Sequence, residues 1–194
     1  MRFKFLSLLF ITIFVFQNKA QTPVKLSSDQ FRFIEGPAWD GSEFIYFSDV
    51  VTKKIHKYST KTKTFTMAFD NFKDGCNGLM FNKNYNLVVC GYKAGNIRER
   101  KTDGTLIKTI ISEFKGNRFD NPNDLCFDAK GGMYFTDPTR RNPPFQAKRN
   151  VYYLTPKGKL TVVDDKNYSF PNGVIISIDG EFLFVNDSDS HNIF

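Results

Sequence analysis

The chain has 194 residues and a formal charge of +7, with 41% hydrophobic and 24% charged residues. That length allows one domain with a real core. The lysines sit in separate turns (Lys53, Lys54, Lys61, Lys63, Lys157, Lys159) rather than in one run, which argues against a nucleic-acid partner.

The opening, MRFKFLSLLFITIFVFQNKA, joins a basic start (Arg2, Lys4) to an apolar run from Phe5 to Phe16 and a small residue, Ala20. This is the layout of a secretory signal peptide over residues 1–20, with an uncleaved N-terminal anchor as the alternative. The run is short for a bilayer span, so no stable membrane insertion is expected after cleavage. Loss of Arg2, Lys4 and Lys19 takes the charge from +7 to 7 − 3 = +4. The mature protein, residues 21–194, is expected to be exported, to a periplasm or beyond the cell.

From residue 30 onward, short β-rich runs alternate with Gly, Asn, Asp and Lys turns, and Phe occurs 22 times in the chain. Helical patterning is nearly absent, so the fold class is all-β. Four runs align in chain order: EFIYFSD, NLVVCG, GMYFTD and EFLFVND. Their last residues, Asp49, Gly91, Asp137 and Asp187, fall 42, 46 and 50 residues apart. A further strand follows each, at IHKYS, IRERK, VYYLT and Ile193. A period of 40–50 residues with several strands per unit predicts propeller blades. The turn Lys101-Thr102-Asp103-Gly104 would join two strands within or between blades.

A polar residue leads each repeat: Glu35, Asn77, Asn123 and Asn172 stand 14, 14, 14 and 15 residues before the end of the following strand. Equivalent positions near the innermost strands of a propeller converge on its axis. One carboxylate and three amides there form a hard, oxygen-only donor set. Calcium suits it best. Mg2+, Mn2+ or Zn2+ are alternatives, zinc the poorest match for want of imidazoles and thiolates. Each Asn, taken singly, is also a common turn former, and Asn77 in particular could serve only to hold a turn.

Other features carry less chemistry. Cys76, Cys90 and Cys126 are odd in number, without C-x-x-C spacing, which argues against a disulfide framework; Cys90 and Cys126 lie in apolar runs as core thiols. His56 and His191 fall at or just before the third strand of a repeat and read as structural. No G-x-S-x-G nucleophile elbow or phosphate-cradling glycine loop occurs. The insertion PTRRNPPFQAKRN, 138–150, is either a lid over the channel mouth or a long surface loop.

The ordered set FIEGPAWDGSEFIYFSDVVTKKIHKYS, CNGLMFNKNYNLVVCGY, NRFDNPNDLCFDAKGGMYFTDP and FPNGVIISIDGEFLFVND resembles the SMP-30/gluconolactonase/luciferin-regenerating-enzyme-like family over residues 30–194. The resemblance implies a six-bladed β-propeller, a single axial divalent cation, often calcium, and hydrolysis of sugar-type lactones. It makes Glu35 and Asn172 metal ligands and puts Asn123 at both metal and substrate. Asn77 becomes a substrate contact, as does Arg118, although Arg118 departs from the family's R-x-N-D spacing. A catalytic-base Asp, also a metal ligand, is expected beyond Phe194, because Asp187 and Asp189 do not match its position. About four of six blades are expected here, so the chain reads as the N-terminal portion of a family member. The rivals are a non-catalytic propeller that binds a sugar or protein partner, and an inactive fragment.

Overall fold

The stretch FIEGPAWDGSEFIYFSD folds into the first antiparallel pair, β1 (Ile34–Trp39) and β2 (Phe44–Asp49), with Ala38 opposite Tyr46. Its turn is closed by Asp40, whose Oδ1 accepts the backbone N–H groups of Ser42, Glu43 and Phe44 at 2.8, 2.8 and 2.9 Å. An Asx side chain that satisfies its own turn removes the need for a tighter two-residue turn. Asn82 and Asp128 repeat the device at the same place in later repeats. The computed structural model describes residues 30–164 and 166–194. The expected signal peptide, residues 1–20, lies outside them.

Four sheets follow one another along the chain. The first adds β3 (Lys54–Ser59) and β4 (Phe65–Asp70), in the order β1-β2-β3-β4. The second holds β5 (Leu79–Phe81), β6 (Leu87–Gly91), β7 (Asn96–Arg100) and β8 (Leu106–Ile111), and the Lys101–Gly104 turn joins its last two strands. A two-stranded ribbon, β9 (Glu113–Phe114) and β10 (Asn117–Arg118), precedes the third sheet. That sheet comprises β11 (Leu125–Phe127), β12 (Met133–Asp137), β13 (Asn150–Leu154) and β14 (Leu160–Val162). The fourth has three strands, β15 (Pro171–Ile176), β16 (Leu183–Asp187) and β17 (Asn192–Ile193). All pairings are between chain neighbours and antiparallel, the meander of a propeller blade. The described residues contain strands and no helix, and none of their segments is a helix long and apolar enough to cross a membrane.

The first strands of successive sheets, β1, β5, β11 and β15, lie side by side. Between them the sheets pack face to face, with one apolar cluster at each junction. Ala38, Tyr46 and Ile55 of the first sheet meet Leu79, Leu87 and Val89 of the second. Val88, Cys90 and Ile97 meet Leu125, Phe135 and Tyr152. Cys126 and Val151 meet Val174 and Val185. Alternate residues of β6 thus serve two junctions, Val89 one and Val88 the other, as period-2 side-chain alternation requires. Each fully buried side chain of this kind contributes about 1.5–3 kcal/mol of transfer free energy. Cys76, Cys90 and Cys126 are buried free thiols.

The acidic strand ends recognised in the repeat are structural latches. Asp49 accepts the backbone N–H of Arg32 and Phe33, Asp137 that of Asp120 and Asn121, and Asp187 that of Ser169 and Phe170. In each case a buried carboxylate fixes the chain entering an inner strand. The second repeat has Gly91 there instead, and Asp74 nearby pairs with Arg98 and Arg100 at 2.6 Å each.

Candidate functional site

Each inner strand is entered through a pair that leads with a polar residue: Glu35-Gly36, Asn77-Gly78, Asn123-Asp124 and Asn172-Gly173. Glu35 stands opposite Ser48 in the ladder. Asn77 N donates to Cys90 O at 3.0 Å, and Asn123 N to Thr136 O at 2.9 Å. The backbone therefore holds equivalent positions in equivalent registers. β1 bulges between Glu35 and Ala38, and β15 between Pro171 and Val174. A bulge beside a site re-aims a side chain.

Two glycines let the inner strands close up at this level. Gly36 has φ +56°, and a Cβ there would lie 2.6 Å from Leu79 N. A Cβ on Gly78 would lie 2.6 Å from Asn123 O, to which Gly78 N donates at 2.6 Å. Hydroxyls add a second tie between blades. Ser48 Oγ donates to Asn77 O at 2.7 Å. Thr136 Oγ1 donates to Asn172 O at 2.6 Å and accepts Asp124 N at 3.1 Å.

The result is a cleft of about 650 Å3 along the inner strands. Glu35, Asn77, Asn123, Asp124, Asn172 and Asn186 form its polar lining, and Trp39, Phe81, Ile175 and Phe184 its apolar wall. Among the described residues, no Lys, Arg or His lines it. Burial pushes the Glu35 carboxyl above its ordinary value, and the neighbouring Asp124 carboxylate pushes it further. Burial also raises Asp124, against the stabilising N–H groups of Val174 and Leu125; Val174 N lies 3.1 Å from Asp124 Oδ2. Two half-buried or buried carboxylates without a cationic side chain between them are a site that a bound cation relieves. Carboxylate and amide oxygens suit a hard divalent ion. Among the described residues, no three of His, Cys, Asp and Glu gather as a metal cluster, so the fit rests on the amides joining the carboxylates.

Glu35, Asn77, Asn123 and Asn172, picked out by spacing, all line this cleft. Arg118 does not. It sits in β10 of the ribbon, where its guanidinium donates to Phe119 O at 3.1 Å and Lys93 O at 3.2 Å and lies 4.6 Å from the Phe145 ring. His56 is also elsewhere, stacked on Phe47 in the first sheet. The sequence reading missed Asp124 and Asn186. The signal for Asp124 was present: the position after each lead residue is Gly in three repeats and Asp in one.

Four sheets arrayed around shared inner strands, with oxygen donors from each at one level, define a β-propeller with an axial polar site. The chain belongs to the SMP-30/gluconolactonase/LRE-like family, whose model matches residues 33–194. It is 30% identical over 170 residues to lactonase drp35 of Staphylococcus haemolyticus, covering 86% of this chain and 51% of that protein. It is 26% identical over 187 residues to a gluconolactonase of Zymomonas mobilis, covering 87% of this chain and 52% of that protein. Among solved structures, the gluconolactonase XC5397 of Xanthomonas campestris superposes with a TM-score of 0.77 at 28% identity, over 85% of this chain and 58% of that one. The chain spans about half the length of the curated relatives it matches.

Proposed function

We propose that this chain supplies the cation-holding part of a lactonase acting on sugar-type lactones. The observation that carries the reading is the meeting of Glu35, Asn123 and Asn172 in one cleft that, among the described residues, no cationic side chain lines. The names of the relatives support the reaction class. Glu35, Asn123 and Asn172 would hold the ion, calcium before magnesium, manganese or zinc. When bound, such an ion polarises a carbonyl and acidifies water.

The chain's own residues would brace the ion's ligands and receive the substrate. Asp124 braces Asn123 by accepting Val174 N across the blade junction. The Asn77 and Asn186 amides face the cleft and can donate to substrate hydroxyls. Trp39, Phe81 and Phe184 exclude water from one side and offer flat apolar surface to a sugar ring. A lactone or sugar acid is thus the expected partner. The basic and apolar start of residues 1–20 supports export.

A ligand-binding propeller without catalysis is the second reading. It is favoured by the cleft's amide and aromatic lining, which can hold a ligand without any reaction. A pH-stat assay of the full-length protein on gluconolactone separates the two. The lactonase reading expects acid release that stops on chelation and returns with calcium. Hydrolysis at the uncatalysed rate under all three conditions contradicts it.

A further inference from the structure

A second pocket, of about 380 Å3, lies within the loop joining β12 to β13 and shares no lining residue with the axial cleft. Its wall carries Arg140, Arg141, Lys148 and Arg149 and, among the described residues, no carboxylate. The guanidinium groups are held in place from behind. Arg149 Nε donates to Thr139 O at 2.8 Å. Arg141 lies 4.3 Å from the Phe145 ring. Arg140 is gripped by both oxygens of Asp189, at 3.0 and 2.8 Å, and lies 4.3 Å from the Phe170 ring.

The loop itself is pinned to the blade. Phe145 N and Gln146 N donate to the buried Asp120 carboxylate at 2.9 and 3.0 Å. Gln146 Nε2 donates to Asn117 O at 2.7 Å and Arg118 O at 3.1 Å. Among the described residues, only two carboxylates reach these four cations: Asp189 on Arg140, and Asp120 at 4.0 Å from Arg141. Among the described residues, Lys148 and Arg149 pair with none. The pocket therefore keeps a net positive charge, with its three guanidinium groups held in place before anything binds and Lys148 exposed beside them.

We propose that this pocket binds an oxyanion, the phosphate or carboxylate group of a small molecule. Like-charged groups crowded around a concavity repel one another, and an oxyanion that accepts their N–H bonds relieves that repulsion. Guanidinium forks match planar carboxylates and phosphate edges in pairs of parallel bonds. Thr139 lines the same pocket, and its hydroxyl already accepts Arg141 N at 2.9 Å, which leaves its O–H to donate. β12 runs antiparallel to β11, so the loop leaves the blade at the end where Asn123 enters it. The anion would sit on the rim that carries the axial ring. The site needs no metal and stands whether or not the lactone reading does.

The test is a titration of inorganic phosphate, acetate and chloride into the full-length protein at fixed ionic strength, followed by NMR shifts or calorimetry. Saturable binding of phosphate, or of phosphate and acetate, is expected, and the pattern tells a phosphoryl from a carboxylate site. Lys148→Gln and Arg141→Gln should each weaken it about tenfold, the loss of one charge-assisted hydrogen bond, while Glu35→Gln leaves it unchanged. Lys148 is exposed, so its variant tests the site without risk to the fold. The proposal is overturned by absence of saturation, by chloride binding equally well, by undiminished binding in folded Lys148→Gln and Arg141→Gln, or by loss of binding in Glu35→Gln.

Discussion

Thr136→Val isolates the tie between blade and site. Thr136 is fully buried, and the substitution keeps its shape while removing the hydroxyl. Asn172 O loses a donor at 2.6 Å and Asp124 N loses an acceptor at 3.1 Å. A buried backbone group left without its partner costs about 1–3 kcal/mol, so two cost about 2–6 kcal/mol. Set against a typical total of about 5–15 kcal/mol, that is a large share. Urea unfolding is the assay, read as a shift of midpoint at constant slope. Ser48→Ala, which frees only Asn77 O from its 2.7 Å bond, should cost about half as much. A Thr136→Val loss below about 0.5 kcal/mol, the range of neutral surface changes, would refute the reasoning. It would mean that the hydroxyl bridge holds neither Asn172 nor Asp124.

Two other perturbations follow from the same geometry. Gly78→Ala puts a Cβ 2.6 Å from Asn123 O and Asp124 Cα; overpacking of this kind costs about 1–3 kcal/mol, and thermal melts should show it together with weaker cation binding. Burial lifts the Asp137 carboxyl to about 7 from an ordinary 3.8, against the pull of the Asn121 and Asp120 N–H groups. Its folded value is the higher one, so its contribution to stability is complete below the unfolded value and is lost as pH rises towards 7. Stability measured across that window should fall with pH in the wild type, and Asp137→Asn should flatten the slope. An unchanged slope in the variant would assign the pH dependence to other groups.

Much of the propeller was legible because its rules are local. Strand runs of period 2 and Asx turns at Asp40, Asn82 and Asp128 need only neighbouring residues, and the repeat turns local rules into global register. The ring of Glu35, Asn77, Asn123 and Asn172 was legible for the same reason: equal spacing along the chain becomes equal height along the axis. Asp124 escaped because an acidic residue after Asn reads as a turn pair. What makes it part of the cleft is the neighbouring blade, through Val174 N, and no local pattern carries that contact. Arg118 lies outside the lining of this cleft. The ribbon β9–β10 inserts before the third blade and draws its side chain to Phe119 O, Lys93 O and the Phe145 ring. The role of the 138–150 insertion depends on how Asp120 and Gln146 pin it, which composition cannot express.

Calorimetric titration of calcium into the full-length protein and its Glu35→Gln variant tests the central claim most directly. The account predicts one saturable site in the wild type, and at least about tenfold weaker binding once the Glu35 carboxylate becomes an amide, a difference of about 1.4 kcal/mol. Equal affinity in the two proteins, or no saturable binding in the wild type, would contradict it.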